Sequence, residues 1–244
     1  MKHIFFKWMM GMCLVLYAFT SCQNDDYLKD GGTSSPYYNG NVMQFLESRP
    51  DIFTDLVTVL KYSGLDEILA NEEITFFAPT DFSIQRSVEF MNKTLYSSGR
   101  DRVTRLEQVK PEVWKDILSM YIIEGKYRLN DIAQIDTTAL STFPGQTNFT
   151  YLKNYKMTMG VVYNDAGGVK YAGYRQIMYI YPVGGNRETS YVATSNIEPH
   201  NGIVHVIRFD HFLAFDYLTL YNKAIDAGID YDAESLNPNT ESKE

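Results

Sequence analysis

The chain has 244 residues, of which 45% are hydrophobic and 14% aromatic, and its formal net charge is −8. This composition is not that of a disordered polar chain, and the length is enough for one domain with a sizeable core. No run of Lys or Arg alternates with aromatic residues, so the sequence argues against nucleic acid as a partner.

Residues 1–21 are predicted to be a lipoprotein signal peptide. Lys2 and Lys7 give the segment a positive start, and the apolar residues 8–19 are too few to span a bilayer comfortably. Small or polar residues then precede Cys22, which resembles a loose bacterial lipobox. This pattern implies cleavage before Cys22 and acylation of that residue. An ordinary secretory signal, cut nearby, is the alternative.

The residues behind Cys22 indicate where the protein is placed. Gln23-Asn24-Asp25-Asp26 resembles the acidic export signal of Bacteroidetes surface lipoproteins. It implies a lipid anchor in the outer membrane with the domain exposed on the cell surface, and retention on the periplasmic face is the alternative. Several acyl chains would make the attachment effectively permanent. Residues 22–41 are polar and predict a flexible tether. With Cys13 removed and Cys22 acylated, the sequence predicts no disulfide and no cysteine metal site.

Helices are predicted in three parts of the mature chain. Residues 42–69 are predicted to be helical, with Pro50 near a helix start and Gly64 at a stop. Pro111 is expected to begin another helix, and the polar residues 92–110 before it are predicted to be a loop. Residues 216–244 are predicted to form a short last helix followed by a disordered acidic tail.

A short apolar run in the first half of the chain predicts a buried strand. Ile74–Ala78 is bounded by charged residues and by Pro79, which cannot donate to a sheet and should end the strand. Thr80 or Asp81 is predicted to cap the helix that follows. That helix is indicated by apolar residues at helical spacing: Ile84, Val88 and Met91.

The region from 138 to 209 has a β pattern with turn signals between short strands. The turn at residues 164–168 is predicted to join strands 155–163 and 169–174 as a hairpin. A last apolar run follows the Asn201-Gly202 turn and contains His205. A histidine among apolar strand residues is predicted to be a hydrogen-bonded core residue rather than a metal ligand.

The two apolar strands resemble the two signatures of the fasciclin (FAS1) family, Thr-x-Phe-Ala-Pro-Thr-(Asn/Asp) and Asn-Gly-(Val/Ile)-(Val/Ile)-His-Val-Ile. The matching positions are Thr75, Phe77, Ala78, Pro79, Thr80 and Asp81, then Asn201, Gly202 and His205. The resemblance implies an α+β protein with the FAS1 fold, a wedge-shaped β-sandwich flanked by several short helices. It implies a single domain over residues 42–215, with the two signature strands side by side.

The resemblance also implies a non-catalytic protein, so no catalytic residue, cofactor or metal is predicted. Two departures from the family pattern affect its adhesion motifs. The family's Tyr-His pair falls on Met120-Tyr121, so the histidine is replaced by tyrosine. An Asp-Ile pair before the second signature is replaced by Asn196-Ile197, with Glu198 following. Binding to integrins is therefore not carried over to this chain.

The tyrosines between the signatures are the candidate ligand-binding residues: Tyr171, Tyr174, Tyr179 and Tyr181. Tyrosine offers a flat apolar face with a hydroxyl, which suits sugar or protein contacts. The alternative is ordinary core packing on a pleated sheet. Met178 and Ile180 make the opposite face of this strand apolar too, so one face is a candidate exposed patch.

Two functions fit this sequence. The first is a surface-anchored lipoprotein that mediates adhesion or protein–protein interaction. The second is a glycan-binding accessory lipoprotein of an outer-membrane TonB-dependent nutrient uptake system. The expected partners are the membrane, through lipid on Cys22, and an extracellular protein or glycan.

Overall fold

The computed structural model describes residues 35–183 and 186–233. The predicted signal peptide, Cys22 and residues 22–34 lie outside the described residues, as do residues 234–244 of the predicted tail. The compact unit begins at Pro36. Tyr37 forms a β-bridge with Glu198, so the paired part of the chain starts inside the segment predicted to be a tether.

Six α-helices lie within the described ranges. They are α1 (Val42–Glu47), α2 (Pro50–Ser63), α3 (Asp66–Asn71), α4 (Asp81–Ser97), α5 (Pro111–Ser119) and α6 (Thr219–Ala227). Pro50 and Pro111 begin their helices as predicted, and Gly64 ends α2 in the left-handed conformation with φ 70°. Helix α4 is longer than predicted because it continues through residues 92–97, which were expected in the following loop.

Seven strands form one sheet. They are β1 (Ile74–Ala78), β2 (Ile122–Glu124), β3 (Gln146–Phe149), β4 (Lys156–Tyr163), β5 (Arg175–Val183), β6 (Asn186–Ile197) and β7 (Gly202–Ile207). The order is β2-β1-β7-β6-β5-β4-β3. The two outer strands approach each other, because Ile123 bridges Thr150 and the Tyr151 N–H donates to the Ile122 carbonyl at 2.7 Å. The sheet therefore forms a nearly closed, barrel-like sandwich.

The two signature strands lie side by side, as predicted. Strand β1 pairs with β7 in parallel, and Phe77 is opposite His205. Gly202 is required at the start of β7, since a Cβ atom there would lie 2.7 Å from both the Ile74 carbonyl oxygen and the Val42 Cγ2. The second signature thus fits against β1 and against the first helix.

The polar signature residues connect the helices to the sheet. The Asn201 side chain accepts from the Val42 N–H at 2.9 Å and donates to the carbonyls of Leu69 and Glu72. The Thr75 hydroxyl donates to the Gly125 carbonyl at 2.7 Å and accepts from the Tyr127 N–H at 2.8 Å. Thr75 is buried and Asn201 half-buried, and their side chains satisfy backbone groups at the helix ends and at the edge of the sheet.

Asp81 does not cap its own helix. Thr80 precedes α4 without a side-chain capping bond, and Asp81 Oδ1 accepts from the Leu56 N–H of α2 at 3.0 Å. Helix α2 is kinked at Phe53, with φ −131° and ψ 20°, so backbone N–H groups after the kink need acceptors. The prediction that Asp81 caps the helix that follows it is therefore wrong, because Asp81 caps the second half of α2 instead. Burial raises the pKa of this carboxyl.

The predicted hairpin also has a different second strand. Strand β4 pairs with β5, which begins at Arg175, so residues 169–174 belong to the connecting loop. This loop is closed by its own contacts, including the Gly173 N–H donating to the Asn164 carbonyl at 2.6 Å. A Cβ at Gly173 would lie 2.8 Å from the carbonyl oxygens of Asn164 and Asp165, which explains the tight closure.

Both faces of β5 are covered, so the predicted exposed patch is wrong. One face enters the main core, and the other carries Met178 and Ile180, which form a second small cluster with Ile135. Ile135 reaches them because Gly160 leaves room: a Cβ there would lie 2.4 Å from the Ile135 Cβ. An irregular segment thus buries a face that the strand pattern alone leaves open.

Candidate functional site

An open groove of about 430 Å³ lies beside the first paired residues of the domain, and we call it the N-terminal groove. Three segments line it: the N-terminal segment, the residues after β2, and the turn between β6 and β7. Its polar and aromatic lining includes Tyr37, Lys126, Arg128, Glu198 and His200. The groove is therefore built where the chain enters the domain.

Backbone pairing fixes one wall of the groove. The Glu198 N–H donates to the Pro36 carbonyl at 2.7 Å, and the Tyr38 N–H donates to the Glu198 carbonyl at 3.0 Å. The His200 N–H then donates to the Gly40 carbonyl at 2.8 Å. The N-terminal segment is thus held along the β6–β7 turn, and Tyr37 is presented with 75% of its surface exposed.

A bidentate ion pair crosses the groove. Arg128 donates from Nε and Nη2 to the two carboxylate oxygens of Glu198, at 2.8 and 2.7 Å. These hydrogen bonds lower the pKa of Glu198 and raise the pKa of Arg128. Lys126 lies 3.1 Å from Glu73 and donates to the His200 carbonyl at 3.0 Å. The groove therefore presents fixed charges of both signs rather than a hydrophobic cavity.

The residues beneath the groove explain why Asn196 stands where the family has an aspartate. Asn196 adopts a left-handed conformation, with φ 62°, and its Oδ1 accepts from the Leu129 N–H at 2.8 Å. An amide oxygen is sufficient for that role. The carboxylate of this turn is supplied two residues later by Glu198. The sequence pattern pointed to Glu198 but not to its partner Arg128, which directly follows Gly125-Lys126-Tyr127.

His205 is a hydrogen-bonded core residue, as predicted. Its Nδ1 accepts from the Asn196 N–H at 3.3 Å, and its Nε2 contacts the Tyr127 carbonyl at 2.9 Å. These partners assign the proton to Nε2 of a neutral ring. Burial lowers the pKa of His205 to about 4, so the ring stays uncharged at neutral pH. It supports the turn from below and does not face the groove.

The family model of the fasciclin domain matches residues 51–209. The chain belongs to the fasciclin domain family. A search of curated proteins found no match. Among solved structures, the chain is similar to a FAS1 domain pair from the insect cell adhesion molecule fasciclin I, with a TM-score of 0.50 and 18% identity. The match covers 74% of this chain and 52% of that one, so the chain corresponds to about half of the insect structure. At this identity the likeness shows the fold alone, which confirms the predicted FAS1 fold.

Four tyrosines were predicted to bind ligand, and for Tyr179 this prediction is wrong. In this fasciclin domain it is fully buried, its ring stacks on Phe77 with centroids 3.8 Å apart, and its hydroxyl donates to the Met120 carbonyl at 2.5 Å. Tyr181 is half-buried and packs edge-on against Tyr155 at 5.7 Å. Both rings are on the core face of the same strand, because alternate residues of a strand point to one side.

The other two tyrosines lie in or beside the loop before β5. Tyr171 is half-buried and its hydroxyl donates to Asp136 at 2.7 Å. The hydrogen bond from the Thr138 hydroxyl and then that from Tyr171 lower the pKa of the Asp136 carboxyl to about 2. Tyr174 keeps 70% of its surface exposed. The structure does not bring the four rings together on one surface, so they do not form a joint binding site.

Tyr121 occupies the position of the family's histidine and is fully buried. Its hydroxyl accepts from the Ala214 N–H at 2.9 Å and contacts His211 Nε2 at 2.6 Å, so Tyr121 donates to the ring. Burial lowers the pKa of His211 to about 3. The histidine beside Tyr121 is thus His211, from a distant segment, and neither Tyr121 nor His211 faces solvent.

Within residues 35–183 and 186–233, no group of three or more His, Cys, Asp or Glu side chains could hold a metal ion. The helices of these ranges are each too short or too polar to cross a bilayer.

Proposed function

We propose that this protein is a lipid-anchored lipoprotein of the outer cell surface that uses its fasciclin domain for adhesion or protein–protein interaction, without catalysis. Family membership supports an interaction role, since fasciclin domains occur in adhesion-type proteins. The similar insect protein is itself a cell adhesion molecule. The observation that carries the proposal is the N-terminal groove with its Arg128–Glu198 pair.

The groove has the composition of a protein-binding surface. Aromatic residues and arginine are enriched where proteins contact one another. Tyr37 supplies an exposed ring, and Arg128 leaves 47% of its side chain accessible while holding Glu198. A partner carboxylate can share the exposed guanidinium, whereas Glu198 is only 11% exposed and serves to hold Arg128 in place. Such a surface favours a polar protein segment over an apolar ligand.

Capture of cell-surface proteins by the immobilised full-length protein tests the groove. Arg128→Gln and Glu198→Gln each remove one charge of the pair. We expect either variant to recover at least about tenfold less partner, which corresponds to ~1.4 kcal/mol. Arg49→Gln is the matched control, because Arg49 makes a similar bidentate pair with Asp51, at 3.0 and 2.9 Å, outside the groove. Equal recovery by the groove variants and the control would refute this site.

The anchor is tested separately by fractionation of cells. We expect Cys22→Ser to move the protein from the membrane to the soluble fraction, whereas Cys13→Ser should leave it in the membrane. Protease added to intact cells then distinguishes the two faces of the outer membrane. Digestion supports surface exposure, and protection supports the periplasmic alternative.

The glycan-binding alternative gains no support from its predicted residues. That function was assigned to the four tyrosines before and within β5. Tyr179 is inaccessible, and Tyr171 is engaged by Asp136. We therefore do not propose an importer accessory acting through those rings.

A further inference from the structure

The solvent-facing side of α4 carries an alternation of aromatic and basic residues. Ile84, Met91 and Leu95 are buried and attach the helix to the core. The residues on the other side include Phe82, Arg86, Phe90, Lys93 and Tyr96, and the exposed Glu89 lies between Arg86 and Lys93 on the same face. Residues three or four positions apart lie on one face, so these five side chains follow a single line, which we call the α4 stripe.

Aromatic rings surround the first basic residue of the stripe. The Arg86 guanidinium carbon lies 4.2 Å from the centroid of the Phe212 ring. Phe90 contacts Phe212 edge-on at 6.2 Å and Tyr217 at 4.8 Å. Phe82, one turn before Arg86, keeps 65% of its surface exposed. This end of the stripe is a platform of rings with a guanidinium held over one of them.

The same arrangement recurs at the other end of the helix. Tyr96 is 68% exposed, and the Arg102 guanidinium carbon lies 4.8 Å from its ring centroid. The axial distance from residue 82 to residue 96 is about 21 Å at ~1.5 Å per residue. The stripe is therefore an extended surface with a stacked guanidinium near each end.

Neither guanidinium has an ionic partner in the part of the chain that the structure describes. Three exposed arginines are paired with carboxylates: Arg49 with Asp51, Arg128 with Glu198 and Arg208 with Asp210. Arg175 is also near a ring, that of Tyr163, but it donates to Asn130. Glu89, on the same helix, is engaged by Lys93 at 2.7 Å. In a chain with 30 acidic residues, two ring-stacked guanidinium groups without carboxylates leave capacity for an external anion.

A strained loop holds part of the platform in place. Ala214 and Phe215 both have left-handed backbones, with φ 57° and 64°, although neither is glycine. Such conformations cost free energy and persist where the surroundings enforce them. Here Ala214 is fixed by the buried Tyr121 hydroxyl. The loop thereby presents Phe212 and Tyr217 to α4 on either side of a buried centre.

We infer that the α4 stripe binds an anionic polysaccharide, a chain of sugar rings that carry carboxylates. Exposed aromatic faces stack on the apolar faces of sugars, and a guanidinium pairs with a carboxylate in bidentate fashion. The convex, elongated surface fits an extended polymer rather than a small ligand. Two separated guanidinium groups suit the spaced carboxylates of a uronic acid polymer. This site goes beyond the interaction proposed for the N-terminal groove and shares no residue with it.

Binding of the immobilised full-length protein to polygalacturonate tests the inference. The comparison probes are the fully methyl-esterified polymer, single-stranded oligothymidine and vesicles of phosphatidylglycerol. We expect measurable affinity for polygalacturonate that falls as salt is raised, and at least about tenfold weaker binding of the uncharged ester. Preference for the ester, the oligonucleotide or the vesicles would overturn the inference, as would absence of binding to polygalacturonate.

Matched variants assign the binding to the stripe. Arg86→Gln and Tyr96→Ala should each weaken polygalacturonate binding by about fivefold or more, since stacking and paired charge both contribute. Arg49→Gln and Tyr174→Ala change an exposed Arg and an exposed Tyr elsewhere and should bind like the parent. Equal loss in the controls would overturn the assignment. Phe82→Ala provides a third exposed position, so one poorly folding variant does not decide the outcome, and unfolding curves identify such a variant. Arg128→Gln should retain polysaccharide binding, which separates this site from the groove.

Discussion

Two aromatic regions of this fasciclin domain use the same residue types in opposite ways. In the sheet interior, Tyr179 stacks on Phe77 and its hydroxyl is bound to a backbone carbonyl. On α4, Tyr96 keeps most of its surface exposed, and its ring contacts the Arg102 guanidinium. The difference shows that enrichment in tyrosine does not itself indicate a binding surface. The contacts of each ring decide its role. Tyr179 is a core residue because its ring is stacked and its hydroxyl is bonded, whereas Tyr96, beside a cation, remains accessible to a ligand.

Truncation of one tyrosine in each environment should have very different effects on stability. Tyr179→Ala should lower the free energy of unfolding by about 3–5 kcal/mol, because it removes a fully buried ring and leaves a cavity. Tyr174→Ala, at a ring that is 70% exposed, should change it by no more than ~0.5 kcal/mol. Urea unfolding of both variants measures the difference. Similar values for the two would contradict the division into core and surface rings.

The sequence predicted the family and the elements whose ends are marked by proline, glycine or a turn, and it failed where distant segments meet. Ile74–Ala78 and its partner β7 were predictable, because an apolar run bounded by proline and a turn bounded by Asn-Gly carry their own limits. The outer face of β5 was not, because Ile135 covers it from an irregular segment that has no periodic pattern. Arg128 and Glu198 lie 70 positions apart, and only the fold shows that they pair.

Acid should destabilise the interior region through its histidines. Burial lowers the pKa of His205 to about 4 and of His211 to about 3, from 6.5. Unfolded histidines bind protons below pH 6.5, whereas the folded ones do not until the lower values. Stability is therefore full above pH 6.5 and falls as pH drops below it. Two units below pH 6.5, each histidine should lower the free energy of unfolding by roughly 3 kcal/mol.

The pH dependence of urea unfolding between pH 7 and 4.5 measures this loss. His205→Gln keeps an amide that can donate to the Tyr127 carbonyl but cannot take up a proton in this range. The free energy of unfolding of the variant should fall less steeply with pH than that of the parent. The difference in slope should correspond to about one proton, whatever the stability of the variant at pH 7. An unchanged slope would mean that His205 is not the dry, neutral residue that its contacts indicate.

The smallest expected effect concerns the junction between the buried and exposed sides of α4. Asp81 begins this helix, and its carboxylate caps the kinked helix α2 at the Leu56 N–H. Asp81→Ala should lower the free energy of unfolding by about 1 kcal/mol, whereas Asp81→Asn retains an acceptor and should cost less. Neither change touches the α4 stripe or the N-terminal groove, so binding of polygalacturonate and of protein partners should be unaffected. A selective loss of binding at an unchanged melting temperature would contradict this assignment. It would mean that the first turn of α4 belongs to the binding surface, and that the aromatic stripe extends into the signature itself.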